Sequence, residues 1–183
     1  MTFDFTHVQS ELPILTNNFF WCPWNRGLIR NHAKIIHLAF GNDLDGRLFP
    51  TYRQYDACES LIKTTIDSKL FVPDATWLLG RLLMIPRKDC VCIPFEYCAA
   101  IQCVQQNEKI GMIQNVSVLS QVRSRGLGRA LVLKALTTFQ QLGMIRVILT
   151  VTAVNVKAVR LYTSIGFRVS RCFYTESFVD TNN

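Results

Sequence analysis

The sequence has no run of apolar residues approaching the roughly 18 that a membrane-spanning helix needs. Its first residues, MTFDFTHVQS, lack the basic region and apolar core of a secretory signal. These two absences argue against a membrane partner and against secretion, so a cytoplasmic protein is expected. Charged residues are scarce as well, at 18% of the chain, whereas hydrophobic residues make up 49%. A chain of this composition can bury a core, and the intrinsically disordered class is excluded.

The sequence also offers few candidate ligands for a metal ion. Its three histidines are not spaced as the ligands of a metal site are. Seven cysteines without a secretory signal favour reduced thiols over a disulfide framework. Cys90, Cys92 and Cys98 lie close together, but zinc sites usually space paired cysteines by about two to four residues and need a second pair. In FGNDLDGRLFP, aligning Gly46 with the turn glycine of a calcium loop puts Gly41 at the first ligand position. We therefore predict no metal site.

The length of 183 residues suits one well-buried core, so residues 1–183 are expected to form a single domain. Charge divides this domain into two parts. Residues 111–183 hold nine Lys and Arg side chains and two carboxylates, a net charge of +7, whereas residues 1–110 hold eleven side chains of each sign. The excess positive charge favours an anionic ligand in the second part, either a phosphate-bearing small molecule or a nucleic acid.

Hydrophobic spacing predicts the elements of the first part. A helix is expected over residues 31–40, and a second helix within TYRQYDACESLIKTTIDSKL. The segment ATWLLGRLLMI is typical of a strand that ends before Pro86.

The second part is more regular. YCAAIQCVQQ and IGMIQNVSVL predict two strands, and a helix is expected from Leu127 to a cap at Gly143. IRVILTV is typical of a strand covered on both faces, Asn155 and Gly166 bound a further helix, and FRVSRCFYT predicts a last strand. The order indicates an α/β fold with a right-handed crossover.

The stretch VRSRGLGRAL lies between a predicted strand and a predicted helix. Unpaired backbone N–H groups and the positive end of a helix dipole converge at such a junction, which favours a bound anion. Gly126 and Gly128 allow the backbone to approach a ligand closely, and the three arginines of the stretch add charge or frame the entrance. A tight turn with nothing bound is the alternative.

Two common phosphate-binding loops do not match this stretch. The nucleoside triphosphate loop needs a Lys followed by Ser or Thr after its second glycine, and this pair is missing. The dinucleotide fingerprint needs a third small residue where Leu131 stands. It also needs an acidic residue to bind the ribose, and none occurs between Gly126 and Glu176.

The stretch does resemble the pyrophosphate loop of the GNAT superfamily of acyl-CoA-dependent N-acetyltransferases, whose pattern is R or Q, x, x, G, x, G or A. A second motif of that family is similar to LTVTAVNVKAVRLYTSIGF, and the likeness covers residues 113–169, close to a third of the chain. The matching positions are Arg123, Gly126 and Gly128 in the loop, and Asn155, Ala158, Tyr162, Gly166 and Phe167 in the second motif. The resemblance implies the GNAT fold, a mixed central sheet flanked by helices with splayed strands at the CoA site, and acetyl-CoA as cosubstrate.

The resemblance also implies roles for individual residues. Tyr162 would be the general acid that protonates the departing thiolate. Asn155 would contact the pantetheine arm, a role compatible with capping the helix. Backbone groups of the strand would pair with the pantetheine amides, and loop N–H groups would hold the pyrophosphate. The strand residues are Val116, Ser117 and Val118, and the loop residues are Arg123, Ser124, Arg125, Gly126, Leu127, Gly128 and Arg129.

One departure from the family pattern concerns the proton of the acceptor. Many members carry a Glu on the strand before the loop, whereas this sequence has Gln114 and Asn115 there. The amine then arrives neutral, loses its proton to water and backbone carbonyls, or meets another carboxylate, for which Glu96 is a candidate. Residues 1–110 would face the acceptor, where Asp43 and Asp45 could attract a cationic amine or simply form a solvated turn.

The leading hypothesis is therefore an enzyme that acetylates a primary amine of a small molecule or peptide, with residues 111–183 binding acetyl-CoA. A second hypothesis is a binding module that keeps CoA but has lost turnover, which the missing Glu permits. A nucleic-acid partner is not expected, because no basic run interleaved with aromatics and no nucleic-acid motif is present. A homodimer remains open.

Overall fold

The computed structural model describes residues 1–5, 15, 18–41, 43–84 and 93–174. Its strands form one six-stranded sheet in the order β1-β6-β5-β4-β3-β2. The strands are β1 (Thr2–Asp4), β2 (Phe19–Pro23), β3 (Trp77–Leu82), β4 (Phe95–Asn107), β5 (Ile110–Val118) and β6 (Arg146–Leu149). The helices are α1 (Ile29–Phe40), α2 (Leu44–Leu48), α3 (Tyr55–Asp67), α4 (Leu127–Gln141) and α5 (Val156–Ile165).

The sheet is mixed, as predicted. Neighbouring strands are antiparallel except β5 and β6, which are parallel and are joined through α4. The parallel ladder pairs Ile110–Ile113 with Arg146–Leu149, whereas β5 continues to Val118. The later residues of β5 therefore pair only with β4, and this leaves a gap between β5 and the chain that follows β6.

Helices cover both faces of the sheet. Successive strand residues point to opposite sides, so each face presents side chains that a helix can cover. On one face α4 packs Leu131, Leu136 and Phe139 into a core with Ile101 and Ile113 of the central strands. On the other face Ile35 of α1 packs on Leu78 and Ala100, and α1 and α3 bury Ile36 and Ile62 against each other. This packing places the C-terminal end of α1 and the N-terminal end of α4 near the last residues of β5.

Several helix ends match their sequence signals. The Asn155 side chain accepts a hydrogen bond from the Ala158 N–H group (3.2 Å) and so caps α5. Gly143 and Gly166 have φ values of +76° and +115°, in the left-handed region that favours glycine after a helix. The predicted helices over residues 31–40 and within residues 51–70 are confirmed as α1 and α3.

The predicted last strand is wrong for the residues that the structure describes up to 174. Arg168 forms only a single bridge with Thr2, and the segment after it pairs with no strand. Instead β1, which no sequence signal indicated, lies between β6 and Arg168, and the chain after Arg168 does not continue the pairing along β1. Val169 and Phe173 consequently remain 64% and 70% exposed.

The predicted cover of β6 on both faces is only partly correct, because Arg146 is exposed while Val147 and Leu149 are buried. The strand β3 is confirmed but is shorter than predicted, because it ends at Leu82 and the described Leu83 and Met84 lie outside it. Pro86, Cys90 and Cys92 lie outside the described residues.

One buried polar residue has a cost for stability. His32 of α1 is fully buried beside the Trp24 ring, at 5.1 Å between ring centroids. Neither ring nitrogen has a hydrogen-bond partner among the described residues. Burial lowers the pKa of His32 to about 3, so the ring is neutral in the folded protein at neutral pH.

His32→Leu should remove part of the acid sensitivity of the fold. The unfolded chain protonates this histidine near pH 6.5 and the folded chain only near pH 3, so stability is lost as the pH falls between these values. Between pH 7 and pH 5 the loss from His32 is about 2 kcal/mol. Urea unfolding at pH 5, 6 and 7 should show a flatter pH dependence for His32→Leu than for the wild type. His37→Gln is the control, and equal slopes for His32→Leu and wild type would contradict the assignment.

Candidate functional site

The loop before α4 has the geometry of an anion site. Gly126 adopts φ +78° and Ser124 φ +63°, and no side chain caps the helix. The Ala130 N–H group donates to the Gly126 carbonyl oxygen (2.9 Å), so the N–H groups before Ala130 precede the first helical hydrogen bond. A Cβ atom placed on Gly126 would meet nothing within 4 Å, so its outer side is open. An anion can therefore approach the positive end of α4.

The second glycine of the loop has a packing role. A Cβ atom on Gly128 would lie 3.3 Å from the Leu161 side chain of α5. Gly128 therefore permits the close approach of α5 to α4, which holds the second motif beside the loop. The two glycines that the sequence suggested for ligand approach thus differ, since only Gly126 faces open space.

The Arg123 side chain is bound to the protein itself. Its Nε donates to the carbonyl oxygen of Val118 (3.0 Å) and its Nη2 to that of Ala39 (2.9 Å). Its Nη1 forms an ion pair with Asp43 Oδ2 (2.9 Å). Arg123 therefore joins the end of β5, the end of α1 and the chain before α2. Of the other two arginines in the loop, Arg125 is exposed and Arg129 lies next to the Ser164 carbonyl oxygen (3.4 Å).

The end of β5 offers backbone groups on its side facing the gap. Val116, Ser117 and Val118 pair with Ile101, Ala100 and Ala99 of β4, and β6 has already ended at this level. Unpaired backbone groups at such an edge can bind an extended ligand as an added strand. The Ser117 hydroxyl is fully buried and has no hydrogen-bond partner within the described part of the chain.

Gln114 and Asn115 have structural partners. The ladder pairs Gln102 with Asn115 and Cys103 with Ile113, so Gln114 is the extra residue of a β-bulge. The Thr65 hydroxyl of α3 donates to Gln114 Oε1 (3.2 Å), and Asn115 Nδ2 donates to Gln102 Oε1. Neither side chain is a base. Gln114 connects the sheet to α3, and Asn115 connects β5 to β4 within the sheet.

Asp45 approaches the second motif from a distant part of the sequence. Its carboxylate accepts hydrogen bonds from Thr152 Oγ1 and Asn155 Nδ2, both at 3.3 Å. Burial, and to a lesser extent the Asp45 carboxylate, raise the pKa of Tyr162 to about 12. Burial first and then Asp45 also raise the pKa of Tyr52. Asp45, Asn155 and Tyr162 therefore form one electrostatic group, which spacing in the sequence did not indicate.

We call residues 43–48 the α2 bridge, because its two carboxylates contact the chain on both sides of the gap. Asp43 binds Arg123, which follows β5, and Asp45 binds Thr152 and Asn155, which follow β6. The two predicted acceptor residues thus differ in their surroundings, since Asp43 faces a cation and the partners of Asp45 among the described residues are neutral donors.

Glu96 lies apart from this group. Its carboxylate forms an ion pair with Arg81, its cross-strand neighbour on β3. No contact of Glu96 with Asp45 or Tyr162 is seen in the part of the chain that the structure describes. The described residues also contain no group of three His, Cys, Asp or Glu that could hold a metal ion, and no helix among them is long and apolar enough to cross a membrane.

The chain belongs to the GNAT acetyltransferase family: the sequence model of the Acetyltransferase (GNAT) family matches residues 58–167, more than half of the chain. The match includes β5, the loop before α4, and the helices α4 and α5.

Known relatives agree with this membership. Mycothiol acetyltransferase of Parafrankia sp. (strain EAN1pec) is 38% identical over 76 residues, which cover 42% of this chain and 24% of that protein. The match thus spans about a quarter of the relative's length. A GCN5-related N-acetyltransferase from Sphaerobacter thermophilus has a TM-score of 0.67 and 18% identity, over 92% of this chain and 47% of the other. The aminoglycoside N-acetyltransferase AAC(6')-Iy in complex with CoA has a TM-score of 0.59 and 10% identity, over 87% and 95%. These structures share the fold.

Gly126→Val should weaken CoA binding. A β-branched residue is strained at φ +78°, so the loop would leave the conformation that presents its N–H groups. Gly143→Val is a matched control, because Gly143 has φ +76° and equally open surroundings but lies at the other end of α4. Isothermal titration calorimetry should give a CoA affinity about tenfold or more lower for Gly126→Val than for Gly143→Val. Equal affinities would show that the loop is not the binding site.

Proposed function

We propose that this protein transfers an acetyl group from acetyl-CoA to a primary amine, by direct attack in a ternary complex. The observation that carries the proposal is the gap beside the last residues of β5, with the open N-terminus of α4 at the loop that follows. Membership of the GNAT family supports the same chemistry.

Binding of CoA would use backbone more than side chains. The N–H groups of residues 123–129 suit the pyrophosphate, because they lie at the positive end of α4. The edge groups of Val116, Ser117 and Val118 suit the pantetheine amides. The Asn155 side chain already binds the Ala158 N–H group and Asp45, so its contribution is to hold α5 and Asp45 in place. Acetyl-CoA supplies the thioester.

Tyr162 suits the role of general acid. With a pKa raised to about 12 the phenol keeps its proton at neutral pH, and its burial excludes competing water. A thiolate released in this buried setting is more basic than the same thiolate in bulk water. Proton donation from the phenol therefore helps the carbon–sulfur bond to break.

Asp45 suits the role of proton acceptor better than the other candidates. Asp43 and Glu96 are each paired with an arginine, whereas the partners of Asp45 are the neutral Thr152 and Asn155. Asp45 therefore keeps a net negative charge that can hold an ammonium group and take its proton. The amine nitrogen then bonds to the acetyl carbonyl carbon, the carbon–sulfur bond breaks, and the sulfur receives the proton of Tyr162. The second proton lost by the nitrogen returns to the Tyr162 phenolate.

A second candidate function is a module that binds CoA without turnover. It is favoured by Gln114 and Asn115, which stand where many family members have a Glu and which are bound to Thr65 and Gln102. The single domain, the cytoplasmic location and a homodimer remain predictions from the sequence.

Replacing the phenol should separate these functions. The wild type should release free thiol from acetyl-CoA with at least one member of a panel of amines. Tyr162→Phe should lower kcat by about 100-fold or more while CoA affinity changes little, because only the acid is removed. Tyr52→Phe, the same change at a tyrosine outside α5, is the control. Tight CoA binding with no thiol release for any amine would favour the binding module, and full activity of Tyr162→Phe would exclude the acid role.

Asp45→Asn should lower the pKa of Tyr162. The Asp45 carboxylate disfavours the phenolate, so removing its charge makes ionisation easier. The pKa is measured from the ultraviolet absorbance of tyrosinate during a pH titration, as the difference between each protein and its Tyr162→Phe counterpart. Asp43→Asn should leave this pKa unchanged, because Asp43 is bound to Arg123. We also expect Asp45→Asn to lose turnover at neutral pH, and an unchanged pH–rate profile would rule out the base role.

A further inference from the structure

A basic cavity lies on the side of the α2 bridge that carries Arg47, and its lining includes none of the residues assigned above to CoA binding or proton transfer. Its volume is about 480 Å³, and its lining residues are His37, Leu38, Gly41, Arg47 and Arg53. They come from the end of α1, from α2 and from the turn at Pro50–Arg53. Two guanidinium groups and an imidazole thus face one opening, and none of these five residues carries a carboxylate. Like charges in a shared cavity repel each other, and a bound anion removes that repulsion.

Two of the three basic groups are already held in position. Arg53 Nε donates to the Gly46 carbonyl oxygen (2.8 Å), which leaves the two terminal amino groups of the guanidinium for a ligand. His37 Nδ1 lies 3.1 Å from the Tyr52 carbonyl oxygen. Because a carbonyl only accepts, Nδ1 carries the hydrogen, and the ring's other nitrogen is left for the cavity.

The backbone around this cavity is tightly packed. A Cβ atom on Gly46 would lie 2.3 Å from the Phe40 carbonyl oxygen, so α2 touches the end of α1 directly. The acceptor of the Arg53 hydrogen bond is therefore fixed, and a preorganised guanidinium loses little freedom when it binds an oxyanion.

We propose that this cavity binds the oxyanion group of a small molecule, a carboxylate or a phosphate, through Arg47 and Arg53. The planar guanidinium matches both groups, because its parallel N–H bonds can meet two oxygens at once. The site is separate from the loop before α4, which has its own N–H groups. It does not depend on the proposed function, since anion binding here needs neither CoA nor turnover.

The test is isothermal titration calorimetry of the full chain with inorganic phosphate and, separately, with citrate, at ionic strength fixed with KCl. Arg47→Gln should bind at least one of the two anions about tenfold or more weakly than the wild type. The anion whose binding weakens in Arg47→Gln identifies whether the cavity binds a phosphate or a carboxylate. The Arg47 side chain is exposed and donates no hydrogen bond seen among the described residues, so this variant should fold normally.

Arg171→Gln is the matched control, because Arg171 is an exposed arginine in another part of the chain. It should bind both anions as the wild type does, and phosphate bound at the loop before α4 contributes equally in all three proteins. The anion affinity of Arg47→Lys, which keeps the charge but lacks the planar guanidinium, should lie between that of the wild type and that of Arg47→Gln. Equal affinities of Arg47→Gln and wild type, or no heat with either anion, would overturn the proposal.

Discussion

The position of the whole site depends on the guanidinium of Arg123. Three of its nitrogens bind three different parts of the chain: the end of β5, the end of α1 and Asp43. The loop before α4 follows this residue directly, so its left-handed turns at Ser124 and Gly126 start from a fixed point. Arg123 thus acts as an architectural residue here, and in the proposed function the backbone N–H groups of the loop bind the anion.

Much of the second half could be predicted because its signals are local. A glycine at each helix end, the Asn155 cap and the apolar spacing of α4 depend on residues a few positions apart. The resemblance of two motifs then indicated the splayed strands, and the catalytic role of Tyr162 stays a prediction. The fold class and the helix boundaries in this region could be predicted because they depend on interactions between residues that are close in the sequence.

Other features depend on contacts between distant residues, which spacing cannot show. Asp45 meets Asn155 across 110 positions of sequence, and Arg123 meets Ala39 across 84. The strand expected after Gly166 had the right alternation, but the short β1 already pairs with that edge of the sheet. The Asp-x-Asp pattern of residues 43–45 was the signal for the α2 bridge, although it did not reveal that its two carboxylates have different partners.

The α2 bridge also sets how the gap can widen. Its two carboxylates are separated by one residue, so they span the opening with a short and nearly inextensible length of chain. An acceptor broader than this span must detach one end. Asp43 is held by a charge-assisted contact at 2.9 Å, whereas Asp45 is held by two longer hydrogen bonds at 3.3 Å, so we expect the end beside α5 to detach first. Widening therefore exposes the carboxylate next to Tyr162 and leaves the loop before α4 in place.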